Sequence, residues 1–285
     1  MGDWVALRPI NASQGVIEAI LPRRSQFSRQ AAGHSTQEQV VAANIDTVFL
    51  VSGLDGDFNV RRLERFLTAA WDSGARPVMV LNKADLCPEV DALIQAVENI
   101  APDVPVLAVS AESGQGLEQL YPYLGAGQTV ALLGSSGVGK STLTNRLVGS
   151  PIQRTQAVRL DDSRGRHTTT SRQLIPLPQG GWILDTPGMR ELKLWQADTG
   201  LLSTFEEISE LTHQCRFRDC THQTEPGCAV QQAVADGRLE RGRLENFLKL
   251  QRELAYQHRR RDQRAALEEK AKWKKIHKAL RQHHR

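Results

Sequence analysis

The stretch that most constrains this chain runs from Val130 to Asn145. A short apolar run, Val130-Ala131-Leu132-Leu133, ends at Gly134, and Gly134-Ser135-Ser136-Gly137-Val138-Gly139-Lys140-Ser141-Thr142 follows it. Leu143, Leu147 and Val148 then recur at helical spacing. A Gly-x-x-x-x-Gly-Lys-Ser run between a strand and a helix is the setting of a phosphate-binding loop. Its glycines let backbone N–H groups converge on phosphate oxygens, and the helix N-terminus adds its positive dipole end. Lys140 is expected to reach the β- and γ-phosphates, and Ser141 to hold Mg²⁺.

The chain around this loop alternates strand and helix. Asp46–Ser52 and Pro77–Asn82 read as buried strands, Phe58–Ala70 and Val90–Ile100 as helices, Val104–Val109 as a strand and Leu117–Leu124 as a helix, before the loop's own strand at Thr129–Leu133. Such alternation predicts βαβ units, a mostly parallel sheet and helices on both faces. Ligands of such sheets gather at the carboxyl ends of the strands. Residues 3–45 lack a helical period and read as short β strands at Asp3–Leu7 and Gly15–Leu21, with Gln39–Ala43 leading into a third. They are too few to close an independent barrel. Arg8, Arg23, Arg24 and Arg29 there suit either nucleic acid or a solvated face. The expected division is 1–44 for the β region, 45–198 for the nucleotide domain and 199–285 for a C-terminal helical domain.

Several strand ends carry chemistry. Asn82-Lys83-Ala84-Asp85 follows one of them. The Asp85 carboxylate can accept from guanine N1–H and the exocyclic amine, a donor pair adenine lacks, so the wrong base would leave a buried carboxylate unpaired. Asn82 would support the loop and the base edge, and the Lys83 stem would cover the base face. Ser110-Ala111 ends another strand and offers a backbone N–H to guanine O6. Trp182-Ile183-Leu184-Asp185-Thr186-Pro187-Gly188 is a strand running into Asp-Thr-Pro-Gly, which places Asp185 on the Mg²⁺ side and the Gly188 N–H at the γ-phosphate. Between them, Arg154–Ser171 is polar and aperiodic. It contains His167 and Thr168-Thr169-Thr170, with Thr169 taken as the Mg²⁺ ligand of a loop that orders around a γ-phosphate, and a polar surface loop is the competing reading. Residue 189 is Met, where many GTPases carry a water-orienting Gln. Unassisted hydrolysis is therefore expected to be slow. His167 is the nearest catalytic candidate, and a loop histidine bonded to backbone is the competing reading.

Farther on, Cys215, Cys220, His222 and Cys228 form a Cys-x₄-Cys-x-His-x₅-Cys pattern, three of the chain's 4 cysteines and a histidine in one short loop. Three thiolates and an imidazole make a closed tetrahedral zinc site, and closed sites are structural. Reduced cysteines in a turn-rich loop are the alternative. His213 is a less well spaced ligand, and Cys87 reads as a small core residue.

Charge is distributed unevenly. The net charge is +4, yet Arg238–Arg285 holds 16 Lys/Arg against 6 Asp/Glu, leaving 20 basic and 26 acidic residues elsewhere. After Gln257 the apolar stripe thins, and Arg259-Arg260-Arg261 and Lys270–Lys278 dominate what reads as a solvated, partly disordered tail. Beside a zinc module, this favours contact with phosphate backbones, with affinity falling steeply as salt rises. No run nears the ~18 apolar residues of a membrane span, and Met1-Gly2-Asp3-Trp4 lacks the pattern of a secretory signal. A cytoplasmic, monomeric protein without membrane contact is the expectation.

The order of these motifs is unusual. Asn82–Asp85 and Ser110-Ala111 precede Gly134–Ser141, which precedes Thr168–Thr170 and Asp185–Gly188. In most GTPases the phosphate loop comes first, so the order here is circularly permuted. Together with Gly-Arg-His-Thr-Thr-Thr at 165–170, Asp-Thr-Pro-Gly-Met-Arg-Glu at 185–191 and the zinc loop, this resembles the bacterial ribosome-biogenesis GTPase A family, the circularly permuted GTPases that depend on the small ribosomal subunit. The resemblance runs from about Asp3 to the last helices. It implies an N-terminal OB-fold barrel, of which only the later strands are read here, a permuted GTPase domain and a C-terminal zinc domain. It also implies binding to the small subunit and its 16S rRNA late in assembly, GTP hydrolysis stimulated by that subunit, and a catalytic role for His167. The alternative from another class is an RNA-binding assembly factor whose nucleotide is structural and whose turnover is negligible. An ATPase or small-molecule kinase is disfavoured by Asn82–Asp85.

Overall fold

A computed structural model describes residues 1–30, 38–151, 173–185 and 197–283. Its centre is a six-stranded sheet. Strands β5 (Thr47–Gly53), β6 (Arg76–Asn82), β7 (Val106–Ala108), β8 (Thr129–Gly134), β9 (Gln173–Pro176) and β10 (Trp182–Asp185) lie in the order β7-β6-β5-β8-β10-β9. All neighbouring pairs are parallel except β9, which runs antiparallel to β10 at the edge.

Alternation along the central strands builds two cores, one on each face. Val48 and Leu50, Met79 and Leu81, and Ala131 and Leu133 face one side. Helices α1 (Val60–Ser73) and α2 (Val90–Glu98) cover that side through Leu63, Phe66, Leu67 and Val97. Phe49 and Val51, Val78 and Val80, and Val130 and Leu132 face the other side, against Leu143 and Leu147 of α3 (Lys140–Val148). Leu117 and Leu120 join them from Leu117–Tyr123, which is a 3₁₀ helix with Pro122 inside it, not the α-helix that its apolar spacing suggests. Pro removes a backbone donor and clashes with the preceding turn, so an α-helical continuation is blocked. The expected α/β architecture is therefore present, and the apolar run of each central strand is continuous because both of its faces are buried.

The register brings the functional loops to one edge. Gly53 pairs with Asn82, and Val51 with Gly134. The carboxyl ends of β5, β6 and β8 thus stand side by side, although 81 residues of sequence separate Gly53 from Gly134.

The amino-terminal β segment forms two separate two-stranded sheets among the described residues. One pairs β1 (Val5–Asn11) with β2 (Gln14–Ile20), and every residue of this hairpin is exposed. The other pairs β4 (Glu38–Ala43) with β3 (Gln26–Gln30), a strand the sequence reading missed, and sends Phe27, Val41 and Ala42 into the α1-side core. Three of the four arginines singled out there pair with acids, Arg8 with Glu18, Arg23 with Asp3 and Arg24 with Asp46, while Arg29 donates to Gln39.

The carboxyl-terminal unit has its own core, in which Phe205, Ile208, Val230, Leu244 and Phe247 join α4 (Asp198–Thr204), α5 (Glu206–Thr212), α6 (Ala229–Ala235) and α7 (Arg241–His283). The basic tail, expected to be partly disordered, is instead the continuation of the 43-residue helix α7. From Arg243 onward the sequence has no Gly or Pro and is rich in Ala, Leu, Glu, Lys and Arg, so propensity favours helix even where the apolar stripe has thinned. At ~1.5 Å rise per residue, α7 is about 65 Å long. Among the described residues, Leu254 is the last it contributes to the core.

Candidate functional site

The phosphate-loop sequence folds as its spacing predicts. β8 ends at Gly134, Val138 is buried in the α3-side core, and α3 starts at Lys140. Two glycines are there for lack of room. A Cβ on Gly134 would lie 2.2 Å from the Val51 carbonyl oxygen, and one on Gly139, at φ 95°, would lie 2.2 Å from Asn82 Nδ2. The Lys140 ammonium donates to the Gly134 carbonyl at 2.8 Å and to the Ser135 carbonyl. Ser136 and Gly137 form the exposed apex, and Ser141 and Thr142 open the helix.

Asn82 ties the loops together. It is 2% exposed. Its Nδ2 donates to the Val138 carbonyl at 2.8 Å, and its Oδ1 accepts from the Ala111 N–H at 2.9 Å. One side chain therefore joins the end of β6, the phosphate loop and the Ser110-Ala111 turn. Nδ2 has a second hydrogen and Oδ1 a second lone pair beyond these two bonds. Arg146 of α3 reinforces the arrangement by donating to the Ala111 carbonyl at 2.9 Å and to that of Glu112.

Lys83 adopts a left-handed backbone, φ 66°, and leads into a 3₁₀ turn at Ala84–Leu86 that leaves Asp85 exposed. The Lys83 ammonium pairs with Asp55 in the loop after β5. Burial pulls the Asp55 pKa up, but hydrogen bonds from Lys83 and the Asp57 N–H outweigh it and hold the carboxyl below its ordinary range. Ser110 is fully buried. Asp185 ends β10, one strand away from the phosphate loop. His167, Thr168, Thr169, Thr170, Gly188 and Met189 lie outside the described residues.

Asp55, Asp57, Arg62 and Arg146 were missed by sequence reasoning. A signal existed for the first two: Gly53-Leu54-Asp55-Gly56-Asp57 is turn chemistry at the carboxyl end of a buried strand. Arg62 and Arg146 look like ordinary solvated helix residues in the sequence.

The second cluster is Cys215, Cys220, His222 and Cys228, whose ligand atoms all lie within 4.8 Å of one another. Cys215 Sγ and Cys228 Sγ are 3.9 Å apart and lie 3.6 and 3.5 Å from His222 Nδ1. A tetrahedron with Zn–S of ~2.3 Å and Zn–N of ~2.0–2.1 Å has edges of about 3.8 and 3.5 Å. The three edges among Cys215, Cys228 and His222 are thus those of one S₂N face of such a tetrahedron, and Cys220 lies within 4.8 Å of each of them. The tautomer agrees. Thr212 Oγ1 donates its only hydrogen to the Ile208 carbonyl, so at 3.2 Å it accepts from His222 Nε2–H. That leaves the Nδ1 lone pair facing the thiols, and burial lowers the imidazole pKa, which favours the neutral ring. The loop carrying Cys220 and His222 is braced by Glu225. Hydrogen bonds from the Thr221 hydroxyl and N–H, and then from other N–H groups including that of Gln223, hold its carboxyl down at about 2. His213 is not part of the cluster. Cys87 is partly buried against the α1-side core.

These two units meet across α1. Glu64, fully buried, accepts from Arg61 at 2.7 Å, from Arg243 at 2.9 Å and from Asn246. Arg243 also donates to Glu207 and to the Thr204 carbonyl at 2.8 Å, and lies 4.9 Å from the Phe205 ring centroid. Nearby, Arg65 forms a two-pronged bond with Glu253 at 2.6 and 2.7 Å. No helix among the described residues is long and apolar enough to cross a membrane.

Comparison with known proteins agrees with this geometry. The family model described as RsgA GTPase matches residues 20–195. A model described as ABC transporter matches residues 117–284, a span that holds the phosphate loop but not Asn82–Asp85. The small ribosomal subunit biogenesis GTPase RsgA 2 of Lactiplantibacillus plantarum is 55% identical over 257 residues, covering 90% of this chain and 72% of the relative. RsgA of Opitutus terrae is 50% identical over 291 residues, covering 99% and 79%. Among solved structures, YjeQ from Thermotoga maritima matches with a TM-score of 0.65 and 32% identity, over 89% of this chain and 84% of its own. YloQ, described as a circularly permuted GTPase, matches with a TM-score of 0.64 and 28% identity, over 89% and 80%. The phosphate loop follows Asn82–Asp85 in sequence yet meets it at the carboxyl edge of the sheet, where the Asn82 side chain reaches Val138 across the end of β5, and with these likenesses the chain belongs to the RsgA GTPase family.

Proposed function

We propose that this chain is a GTP hydrolase that binds the small ribosomal subunit through its 16S rRNA and acts in late maturation of that subunit, in the cytoplasm and as a monomer. The observation that carries the reading is Asn82, which joins the phosphate loop to the Ser110-Ala111 turn beside Asp85. Base recognition and phosphate binding are thereby held in one rigid frame, and pre-set geometry is what lets binding energy act on the phosphates. The relatives' names supply the small subunit as the object of assembly.

In this reading Asp85 accepts from guanine, the Ser110-Ala111 turn lies at the base edge, and Gly134 to Thr142 wrap the phosphates. Lys140 lies on the β- and γ-phosphates, Ser141 and Thr169 hold Mg²⁺ with Asp185 behind them, and the Gly188 N–H senses the γ-phosphate. Mg²⁺ held there would neutralise phosphate charge. His167 takes the water-orienting place that Met189 cannot fill. Zinc held by Cys215, Cys220, His222 and Cys228 fixes the loop before α6, and basic α7 meets rRNA backbone. The division into 1–44, 45–198 and 199–285 follows, with Glu64 at the seam of the last two.

Base selectivity tests the assignment. GDP is expected to bind at least about 100-fold more tightly than ADP, and Asp85→Asn to erase most of that difference, because the amide lacks the second acceptor. Equal GDP and ADP affinities in the unmodified chain contradict it. For the metal, purified protein is expected to carry one zinc per chain, and Cys228→Ser to lose it together with α6 order, read as loss of helical signal and faster proteolysis between 213 and 237. Zinc retained at full stoichiometry in that variant contradicts the ligand set.

A further inference from the structure

Two adjacent residues of α1 bond to different parts of the fold. Arg61 bonds Glu64 and Glu240, whereas Arg62 bonds Asp57 at 2.7 Å and Ser135 Oγ at 2.6 Å, through the same nitrogen, Nη1. Ser135 is the second residue of the phosphate loop. We infer that Arg62, oriented by Asp57, is a positioning residue for the triphosphate end of that loop. The inference deepens the GTP hydrolase reading and rests on it.

Ser135 marks the γ-phosphate end because of Lys140. The ammonium that serves β- and γ-phosphates in such loops lies here on the carbonyls of Gly134 and Ser135. The other end of the loop is braced separately, by Asn82 on the Val138 carbonyl. Without Arg62, no brace from outside the loop among these bonds reaches its first turn. Arg62 stands in the first turn of a helix whose start is fixed by Asn59, which accepts the Arg62 N–H at 3.0 Å, and whose body is locked into the core. The guanidinium therefore carries the rigidity of α1 to the loop. Asp57 is held in turn by its N–H to Asp55 at 3.2 Å, and its Oδ2 is buried with no hydrogen-bond partner among the described residues. A carboxylate oxygen left so is costly, and the guanidinium opposite is the charge that offsets that cost. Losing one charge-assisted bond is worth about a tenfold change in affinity, and it should fall on ligands that engage the γ-phosphate end.

The test is titration of the full chain with a non-hydrolysable GTP analogue, a non-hydrolysable ATP analogue and GDP, for the unmodified protein and for Arg62→Ala, Arg62→Lys and Ser135→Ala, with thermal unfolding of each. Arg62→Ala is expected to weaken the GTP analogue about tenfold and GDP less than about threefold, at unchanged thermal midpoint. Ser135→Ala should shift in the same direction, and Arg62→Lys should recover part of the loss. Equal weakening of both guanine nucleotides, no weakening of either, or a fall in midpoint that accounts for the loss makes Arg62 a structural brace and overturns the inference. If the unmodified chain binds the ATP analogue as well as the GTP analogue, the guanine assignment falls, while the triphosphate-against-diphosphate comparison still decides Arg62.

Discussion

Lys140→Ala is expected to lower GTP turnover on the order of 10²–10³-fold, the scale seen when one preorganised donor to developing charge is removed. The effect arises twice over in this fold. The ammonium would be missing from the β- and γ-phosphate oxygens, and the Gly134 and Ser135 carbonyls would lose the cation that holds them. Single-turnover hydrolysis with saturating GTP separates the two causes. A defect in the chemical step remains at saturation, whereas a defect confined to loop shape shows as weaker binding that excess GTP overcomes. Full turnover in the variant contradicts the assignment of this lysine.

Glu64→Ala is expected to cost about 3–5 kcal/mol of folding stability, the range for breaking a buried ion pair from one side. Arg243 is 7% exposed and would lose one of its two carboxylate partners, and Asn246 would lose its acceptor. Urea unfolding reads the loss as a shift in midpoint. The exposed pair Arg238–Asp236 is the control, since removing such a pair moves stability by ~0–1 kcal/mol. A Glu64 variant as stable as that control would show that the α1–α7 seam is held by apolar packing alone.

The parts of the fold legible in the sequence are those where one physical requirement excludes alternatives. The central strands could be read because burial on both faces demands an unbroken apolar run, as in Val48–Val51 and Val78–Leu81. The phosphate loop was readable because Gly134 and Gly139 have no room for a side chain. The metal cluster was readable because four ligands must fall within a few ångströms, and local spacing achieves that. What was not legible depends on partners distant in sequence. β3 gains its place only by pairing with β4, and Phe27 is the one large apolar residue in it. The part Asn82 plays as a clasp shows only when the Val138 carbonyl and the Ala111 N–H are seen to meet its two polar atoms. Glu64 and Arg243 lie 179 positions apart, and nothing in either helix alone distinguishes them from solvated charges. The helix over the basic tail was hidden for another reason. An apolar stripe shows what packs, whereas α7 continues past its stripe on propensity.

As proposed, the nucleotide site is a switch that the small ribosomal subunit operates, with slow hydrolysis when the protein is alone because Met189 stands where a water-orienting side chain would be. GTP turnover by the intact protein, measured with and without purified small subunits at low salt, tests this most directly. Slow turnover is expected alone, with an increase of at least about tenfold with subunits, and loss of that increase as salt weakens contacts between α7 and the rRNA backbone. Turnover that stays the same when subunits are added at low salt contradicts it, and leaves a nucleotide-stabilised RNA-binding protein in its place.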